Sequence, residues 1–466
     1  MKEPRLSHAL IPVLFLVFLL SLNVLVFKGS AHIPIICATA VCALVGRLLG
    51  RGWKTIEKGM VSGIAQGLQA CLILLLVGVL IGVFIVSGVV PAMIFYGLKL
   101  LSPRFFLVSA CLICSVVSLA TGSSWSTAGT VGLALIGIGQ GLGVPIPMVA
   151  GAIVSGSYLG DKMSPLSDTT NLAPAVAGTD LFTHIKHMMF TTVPSYTVAL
   201  CLYFVIGLVI FSPTSSSPAL KELSDALEAH FVISPLLLIP PCFIIVLVLL
   251  RIQAIPALFL GTLVSALFAV TLQGKTFEEV LYVANAGYKC ETGVLSVDAL
   301  LSKGGLESMY STLGLIICAL AFGGAMEACG FLETIAKSVL RLGGSVFGLI
   351  LATLISCIVM NIIAPDQYLS IVVPGRMYQK AYLDMGLHPK NLSRALEDAG
   401  TLSSPLVPWN TCGAFMSATL AVPTLSYLPF AFLNLTNPLV SAFYGYTGIT
   451  ITRLGESGGE DHRQIT

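Results

Sequence analysis

The sequence predicts an all-α polytopic membrane protein built from two inverted structural repeats, each carrying a broken transmembrane helix. Three observations lead there. Of the 466 residues, 56% are hydrophobic and only 10% charged, with a mean hydropathy of +0.94, whereas a soluble domain carries roughly 25% charged residues. Apolar runs of about 20 residues, enough to cross a hydrocarbon core of about 30 Å, follow one another along most of the chain. Two polar interruptions of similar make-up also recur in corresponding places, the mark of a repeat-built transporter.

The first apolar runs, near 9–27 and 31–49, read as spans. The basic start and long apolar run are followed by no small-residue cleavage site, so the first reads as a span rather than a removed signal. The polar stretch RGWKTIEKG separates them from a run at 67–90. Runs at 105–121 and 124–143 meet at TGSSWSTAG. The region 146–180 is apolar but holds DKMSPLSDTTN, Asp161 to Asn171. As a single helix rising 1.5 Å per residue it would measure about 50 Å, too long for one straight crossing, so it is expected to break at Pro165.

Spans follow near 188–211, 232–250 and 255–272, flanked by the two longest polar connections, 212–231 and 273–306. Neither connection reads as a folded domain. The second half runs through 309–329, 346–362, the polar interruption NIIAPDQYLS, 369–379, a basic loop, 395–422 and 427–446. The expected organisation is therefore N-terminal spans with an amphipathic linker (1–66), repeat one (67–211), connecting spans and loops (212–306), repeat two (307–446) and a cytoplasmic tail (447–466).

The repeat rests on specific residues. SPL at Ser164–Leu166 recurs at Ser404–Leu406, an offset of 404 minus 164, or 240, and Thr and Asn follow both copies. Gly88 and Gly330 lie 330 minus 88, or 242, apart, which lays TGSSWST onto IAPDQYL. With the N-terminus inside, 16 of the 24 Lys and Arg fall inside and 7 outside, with Lys162 in the membrane, as the positive-inside rule requires. In that arrangement 67–90 runs outward and 309–329 inward, so the repeats are inverted.

An ionisable group within a span is a functional hypothesis by default, because burying it costs several kcal/mol. Asp161, Asp168, Glu327, Asp366, Glu397 and Asp398 lie within or beside apolar runs. Two readings stand for Asp161: an ion or proton site, or a salt bridge to Lys162 or an arginine. Two stand for Asp168 as well. Thr169, Thr170 and Asn171 beside it offer the oxygens a hard cation prefers, and the aspartate also suits a helix N-cap. Asp168, Asn171, Asn410 and Thr411 make the candidate Na⁺ set, with Ser164, Thr170 and Ser404 adding oxygens. The second break, SSPLVPWNT, contributes Ser403, Ser404, Asn410 and Thr411 but no acid, which assigns the proton to repeat one. A poorly solvated carboxylate holds H⁺ or Na⁺ but not both comfortably, and that competition is a complete exchange mechanism.

The interrupted pairs add GSSWSTAGT and APDQYLS. Their helix starts, at Ser123, Ser124, Thr127, Asp366 and Gln367, suit an anion such as a carboxylate; close helix packing is the alternative reading. Glu327, Glu397 and Asp398 are candidates for a proton path. Glu327 also reads as reaching the inner surface, and Glu397 and Asp398 as ordinary acidic partners of a helix start. The 12 cysteines are scattered through apolar runs and read as small buried hydrophobes. The seven histidines lie near span ends or in loops, and no nucleophile, base and orienting group assemble into an enzyme site. A balanced 24 Lys and Arg against 22 Asp and Glu suggests no nucleic-acid partner.

Taken together, GSSWSTAGT, SGSYLGDKMSPLSDTTNLAP, APDQYLSIVVPGRMY and LEDAGTLSSPLVPWNTCGAFM resemble the NhaC family of bacterial Na⁺/H⁺ antiporters, which includes malate/lactate antiporters. The resemblance spans about residues 8–450. It implies an inner-membrane exchanger driven by the proton-motive force, of the wider ion-transporter superfamily, with paired re-entrant hairpins and a homodimeric assembly. No cofactor is expected beyond the transported Na⁺ and H⁺, and the charge count places both termini in the cytoplasm. It leaves open whether an organic acid such as malate or lactate is exchanged as well.

Overall fold

The computed structural model describes residues 3–27, 29–210, 218–250, 252–341, 343–364 and 366–455. Lys2, Lys28, Arg251 and Arg463 of the charge count, Pro365 of the second polar interruption and the tail beyond 455 lie outside the described residues. Every regular element among the described residues is helical, apart from one antiparallel bridge between Leu387 and Arg453.

The chain enters through α1 (Leu6–Ser21), α2 (His32–Leu48) and the amphipathic α3 (Trp53–Gln66), which turns at Gly67 into α4 (Leu68–Val86). Gly88 then adopts a left-handed backbone with φ of 79° and starts α5 (Val89–Leu100), so the expected span 67–90 stops at Val86. A hairpin follows: α6 (Phe106–Thr121), a turn at Gly122, α7 (Ser124–Thr127), a π-helical turn at Ala128–Gly132 and α8 (Leu133–Gly141). The expected break is present, with α9 (Ile146–Met163) and α10 (Asp168–Ala177) separated by four residues around Pro165.

α11 (Leu181–Ile210) is the longest helix among the described residues. The connecting region then holds α12 (Pro218–His230), α13 (Ile239–Leu249), α14 (Ala254–Thr271), α15 (Phe277–Ala286) and α16 (Leu295–Leu301). Its polar stretches are thus partly helical, and α15 packs on α4. The start of α15 is fixed by a capping box: Thr276 Oγ1 accepts from the Glu279 backbone N–H at 3.2 Å, and Glu279 accepts from the Thr276 N–H at 2.7 Å. That backbone N–H holds the Glu279 carboxyl below its ordinary value.

The second half repeats the element order of the first. α17 (Tyr310–Ala328) leads through Gly330, left-handed at φ of 75°, into α18 (Phe331–Leu340), as α4 leads through Gly88 into α5. A second hairpin joins α19 (Val346–Ile363) to α20 (Gln367–Asp384). A second broken helix runs as α21 (Pro389–Leu396), a π-helical turn at Glu397–Thr401, a break around Ser404–Leu406 and α22 (Thr411–Leu420). The chain closes with the short α23 (Thr424–Tyr427) and with α24 (Phe432–Thr447), which packs on α11.

The expected start of this broken helix at 395 is corrected by six residues. Pro389 occupies the first helical turn and His388 caps it, accepting from the Lys390 N–H at 3.1 Å.

Five helices among the described residues are long and apolar enough to cross a membrane: Leu68–Val86, Pro103–Thr121, Leu181–Val209, Leu306–Ala328 and Val346–Ile363. A sixth candidate, Leu223–His230 with Pro235–Leu247, is bent by 98°. This is a multi-pass membrane protein. Fewer segments qualify than the hydropathy runs suggested: Leu6–Ser21, His32–Leu48 and Ile255–Thr271 are apolar but shorter, and the run at 146–180 is divided by its break. Two packings across these elements build the interior. α6 lies along α9 so closely that a Cβ on Gly160 would come 2.1 Å from the Ser118 carbonyl carbon. α10 of the first half packs against α20 of the second.

Candidate functional site

Each broken helix and each hairpin sends residues into one cavity of about 690 Å³. Ser123 and Ser124 come from the first hairpin, Asp161 and Asp168 from the two sides of the first break, Asp366 and Gln367 from the second hairpin, and Thr411 from the far side of the second break.

Asp161 sits in the last turn of α9, where a helix leaves carbonyls without intrahelical partners. Its own backbone carbonyl accepts from Thr170 Oγ1 at 2.8 Å and Thr169 Oγ1 at 3.2 Å, so residues of the following helix cap the one before the break. Its carboxylate accepts from Ser124 Oγ at 2.8 Å and Ser167 Oγ at 3.0 Å. The aspartate thereby ties the hairpin tip to the break, and it faces the cavity with hydroxyls rather than a cation as partners. Asp168 is the first residue of α10, after Ser167 in the capping position; exposed to the cavity, it accepts from the Tyr368 hydroxyl at 3.3 Å. At the second hairpin, Asp366 caps α20 by accepting from the Tyr368 N–H at 2.9 Å and the Leu369 N–H at 3.1 Å. Cys412 Sγ donates to Gln367 Oε1 at 2.9 Å. Trp125 stacks on Phe415 with ring centroids 4.0 Å apart, joining α7 to α22.

Other expected site residues turn inward to hold the breaks. Ser164 Oγ donates to the Leu119 carbonyl at 2.8 Å, and Ser404 Oγ to the Thr401 carbonyl at 2.8 Å. Ser123 caps α7, and Thr127 Oγ1 donates back to the Ser123 carbonyl at 2.9 Å. Of the candidate Na⁺ set, Asp168 and Thr411 line the cavity. Asn171 instead donates to the carbonyls of Ser167 at 2.7 Å and Pro165 at 2.9 Å. Asn410 donates to Asn361 Oδ1 at 3.0 Å and caps α22 through the Cys412 N–H at 3.0 Å. At the start of α20, Asp366 already accepts from the N–H groups of Tyr368 and Leu369, two of those an anion there would use. Glu327 is exposed near the end of α17.

A family model described as the Na⁺/H⁺ antiporter family matches residues 156–449. A relative named Na(+)/H(+) antiporter NhaC, from Alkalihalophilus pseudofirmus, is 40% identical over 92% of this chain and 93% of its own. The chain belongs to the Na⁺/H⁺ antiporter family. Other members include a malate-2H(+)/Na(+)-lactate antiporter of Bacillus subtilis, 38% identical over 96% of each chain. An arginine/ornithine antiporter, ArcD, of Halobacterium salinarum is 36% identical over 96% of this chain and 93% of its own. These relatives are all named as antiporters.

Within the region matched by the antiporter family model lies a second polar centre, whose residues the sequence singles out but whose pairing it does not reveal. Lys162, wholly buried, forms an ion pair with Asp398 and donates to Asn437 Oδ1 at 2.6 Å. The expected alternative for Asp161, a salt bridge to Lys162, is overturned: neighbours on a helix point apart, and Lys162 turns away from the cavity to the other half of the molecule. Thr191 Oγ1 donates to Asp398 Oδ1 at 2.8 Å, and Arg394 Nε lies 3.9 Å from Asp398 Oδ2. Glu397 is buried beside them, and neither of its carboxylate oxygens has a hydrogen-bond partner among the described residues. Both acids lie in the π-helical turn, past the C-terminal end of α21, so the reading of them as helix-start dipole partners is corrected. The second broken helix of this antiporter is therefore not free of acid. Two charged doublets, Asp161–Lys162 and Glu397–Asp398, precede the two breaks; that pattern was the available signal.

Proposed function

We propose that this protein exports Na⁺ in exchange for H⁺ across a bacterial inner membrane, using the cavity at the two breaks as its alternating-access site. The observation that carries this reading is Asp161: a carboxylate at a helix break, inside a transporter cavity, whose partners are hydroxyls rather than a counter-charge. Such a group binds H⁺ or Na⁺ in turn, and Ser124, Ser167, Asp168 and Thr411 surround the place where a dehydrated cation needs oxygens. Asn171 and Asn410 hold the shape of the breaks. Glu397, buried and without a hydrogen-bond partner among the described residues, is suited to a proton path between the cavity and the Lys162–Asp398 pair.

The repeated element order, with left-handed glycines at Gly88 and Gly330, supports an inverted-repeat architecture with re-entrant hairpins at α6–α8 and α19–α20. The inside excess of Lys and Arg supports cytoplasmic termini, and a homodimer is the assembly we expect. In proteoliposomes holding the purified protein, an imposed pH gradient should collapse on addition of Na⁺. No Na⁺-dependent collapse, with or without organic acids, overturns the reading. The relative named as a malate/lactate antiporter supports a second reading, coupled organic-acid exchange, and uptake of labelled malate separates the two.

A further inference from the structure

The first turns of α11 lead from water to the buried ion pair. Asp180, exposed just ahead of the helix, is followed by His184, His187, Thr191 and Ser195, and steps of three and four residues keep them along one side. From Asp180 to Thr191 is 191 minus 180, or 11 residues, a climb of about 16 Å. Thr191 ends it on Asp398, at 2.8 Å. Only 28% of the apolar stretch of α11 is buried, yet His184 and His187 are 0% and 4% exposed. They face α21 and the turn after it, where Lys390, Ser393, Arg394 and Glu397 follow one another along the same seam.

His184 Nδ1 lies 2.8 Å from Ser393 Oγ, with Lys162 and Asp180 as its charged neighbours; those of His187 are Lys390 and Arg394. α24, packed on the same helix, brings Asn437, which donates to Ser195 Oγ at 3.3 Å, and Tyr444 near Arg394. Nε2 of both rings is buried without a hydrogen-bond partner among the described residues, and so are both carboxylate oxygens of Glu397. The groups beside them do not fill the gap. Asn391, next to His187, already donates its amide N–H groups to the His388 and Thr452 carbonyls, and Thr401 Oγ1, next to Glu397, is out of bonding geometry. Buried polar atoms are paired with protein or ordered water in roughly 90% of cases, so a row of unpaired ones along one seam is a place for water.

From the polar stripe on α11, the unpaired ring nitrogens and the matching face of α21, we infer that this seam is a proton route of its own, in which His184 and His187 carry H⁺ between Glu397 and the water at Asp180. An imidazole takes a proton at one nitrogen and gives one from the other, and chains of such groups inside a membrane are proton relays. A proton leaving Glu397 passes through seam water onto one ring nitrogen and off the other, so the carboxylate is left ionised beside Lys162 and both rings end neutral. The inference rests on the exchange reading for its H⁺. It adds that the proton and Na⁺ reach water by different doors, Na⁺ through the cavity at the breaks and H⁺ along α11.

Proteoliposomes holding the full chain test this in two modes: Na⁺-driven proton movement, which needs the route, and exchange of labelled for unlabelled Na⁺ at equal pH, which does not. Glutamine in place of histidine keeps a polar side chain but relays no proton. His184→Gln should slow the first mode by about a hundredfold, the low end of what a positioned proton-transfer group contributes, and leave the second unchanged. His187→Gln should act in the same direction, and it decides alone if the other variant does not fold. Full proton movement in both variants overturns the inference, and so does an equal loss of both modes, which would make the histidines structural. A companion measurement needs no transport: deuterium uptake at the ring C2 carbon of each histidine, read by mass spectrometry on the purified protein across a pH series. His184 and His187 should show a sigmoidal pH dependence, as the exposed His230 does, in spite of their burial; uptake that stays at the floor at every pH refutes the route. If wild-type vesicles show no Na⁺/H⁺ exchange at all, the exchange reading fails, while the deuterium series still decides whether protons enter the seam.

Discussion

Asp161 concentrates the chemistry at the residue scale. It is the point where the hairpin tip, through Ser124, and the break, through Ser167, meet one carboxylate. Asp161→Asn keeps the shape and the hydroxyl contacts but removes the charge that H⁺ and Na⁺ contest, so Na⁺-dependent collapse of a pH gradient should fall to the level of empty vesicles. Ser124→Ala removes one hydrogen bond worth about 1 kcal/mol and should raise the apparent KM for Na⁺ several-fold with the maximal rate largely kept. Equal loss of both parameters would instead mark Ser124 as a scaffold residue. Both acids flanking the break were legible in the sequence, because a carboxylate in an apolar run calls for a reason. Their partners were not. Nothing in the order of residues says that Lys162, next to Asp161, turns away to a partner in the other half.

The breaks themselves, at the element scale, follow from Pro165, Ser404 and Pro405 in runs too long or too polar to cross as one helix. The start of the second broken helix did not. Asn391, Ser393 and Arg394 make α21 look like a surface loop by hydropathy, yet all three are buried and bond to groups that only the folded interior brings near: Asn391 donates to the Thr452 carbonyl at 2.7 Å, Arg394 to Thr450 Oγ1 at 2.8 Å, and Ser393 Oγ lies 2.8 Å from His184 Nδ1. The seating of α6 on α9 depends on Gly160, which admits no side chain. Gly160→Val should lower the thermal unfolding temperature in detergent, in line with overpacking costs of about 1–3 kcal/mol or more, and should misplace Ser124 from Asp161, so that Na⁺ affinity falls with stability. Outside the candidate membrane spans, the capping box of α15 makes a pH prediction. The Glu279 carboxyl is held below its ordinary value by the Thr276 N–H. Its contribution is therefore complete above the ordinary carboxylate value of about 4.3 and is lost as pH falls through the lowered one. Hydrogen exchange at the start of α15 should quicken only in that acidic window, and Glu279→Ala should abolish the transition.

For the molecule as a whole, the two halves are joined by charge as well as by packing. Breaking a buried ion pair by removing one partner costs about 3–5 kcal/mol, whereas replacing both with apolar groups is often neutral. Asp398→Asn should therefore destabilise the protein strongly, and Lys162→Met combined with Asp398→Leu should recover much of the lost thermal stability; whether the double variant still exchanges ions tests if the pair moves protons or only holds the halves together. The paired breaks made the repeated element order legible in the sequence, since hydropathy reports each half separately. The link between the halves was invisible to it, because it depends on which side chains meet. That link also bears on how the protein is made. Lys162 leaves the ribosome 236 residues before its partner, a delay on the order of ten seconds or more at ordinary rates of synthesis. Throughout that interval the half-made chain carries Lys162 without the carboxylate it meets in the folded protein, and a chain truncated before Asp398 should be degraded by membrane proteases faster than the full-length one.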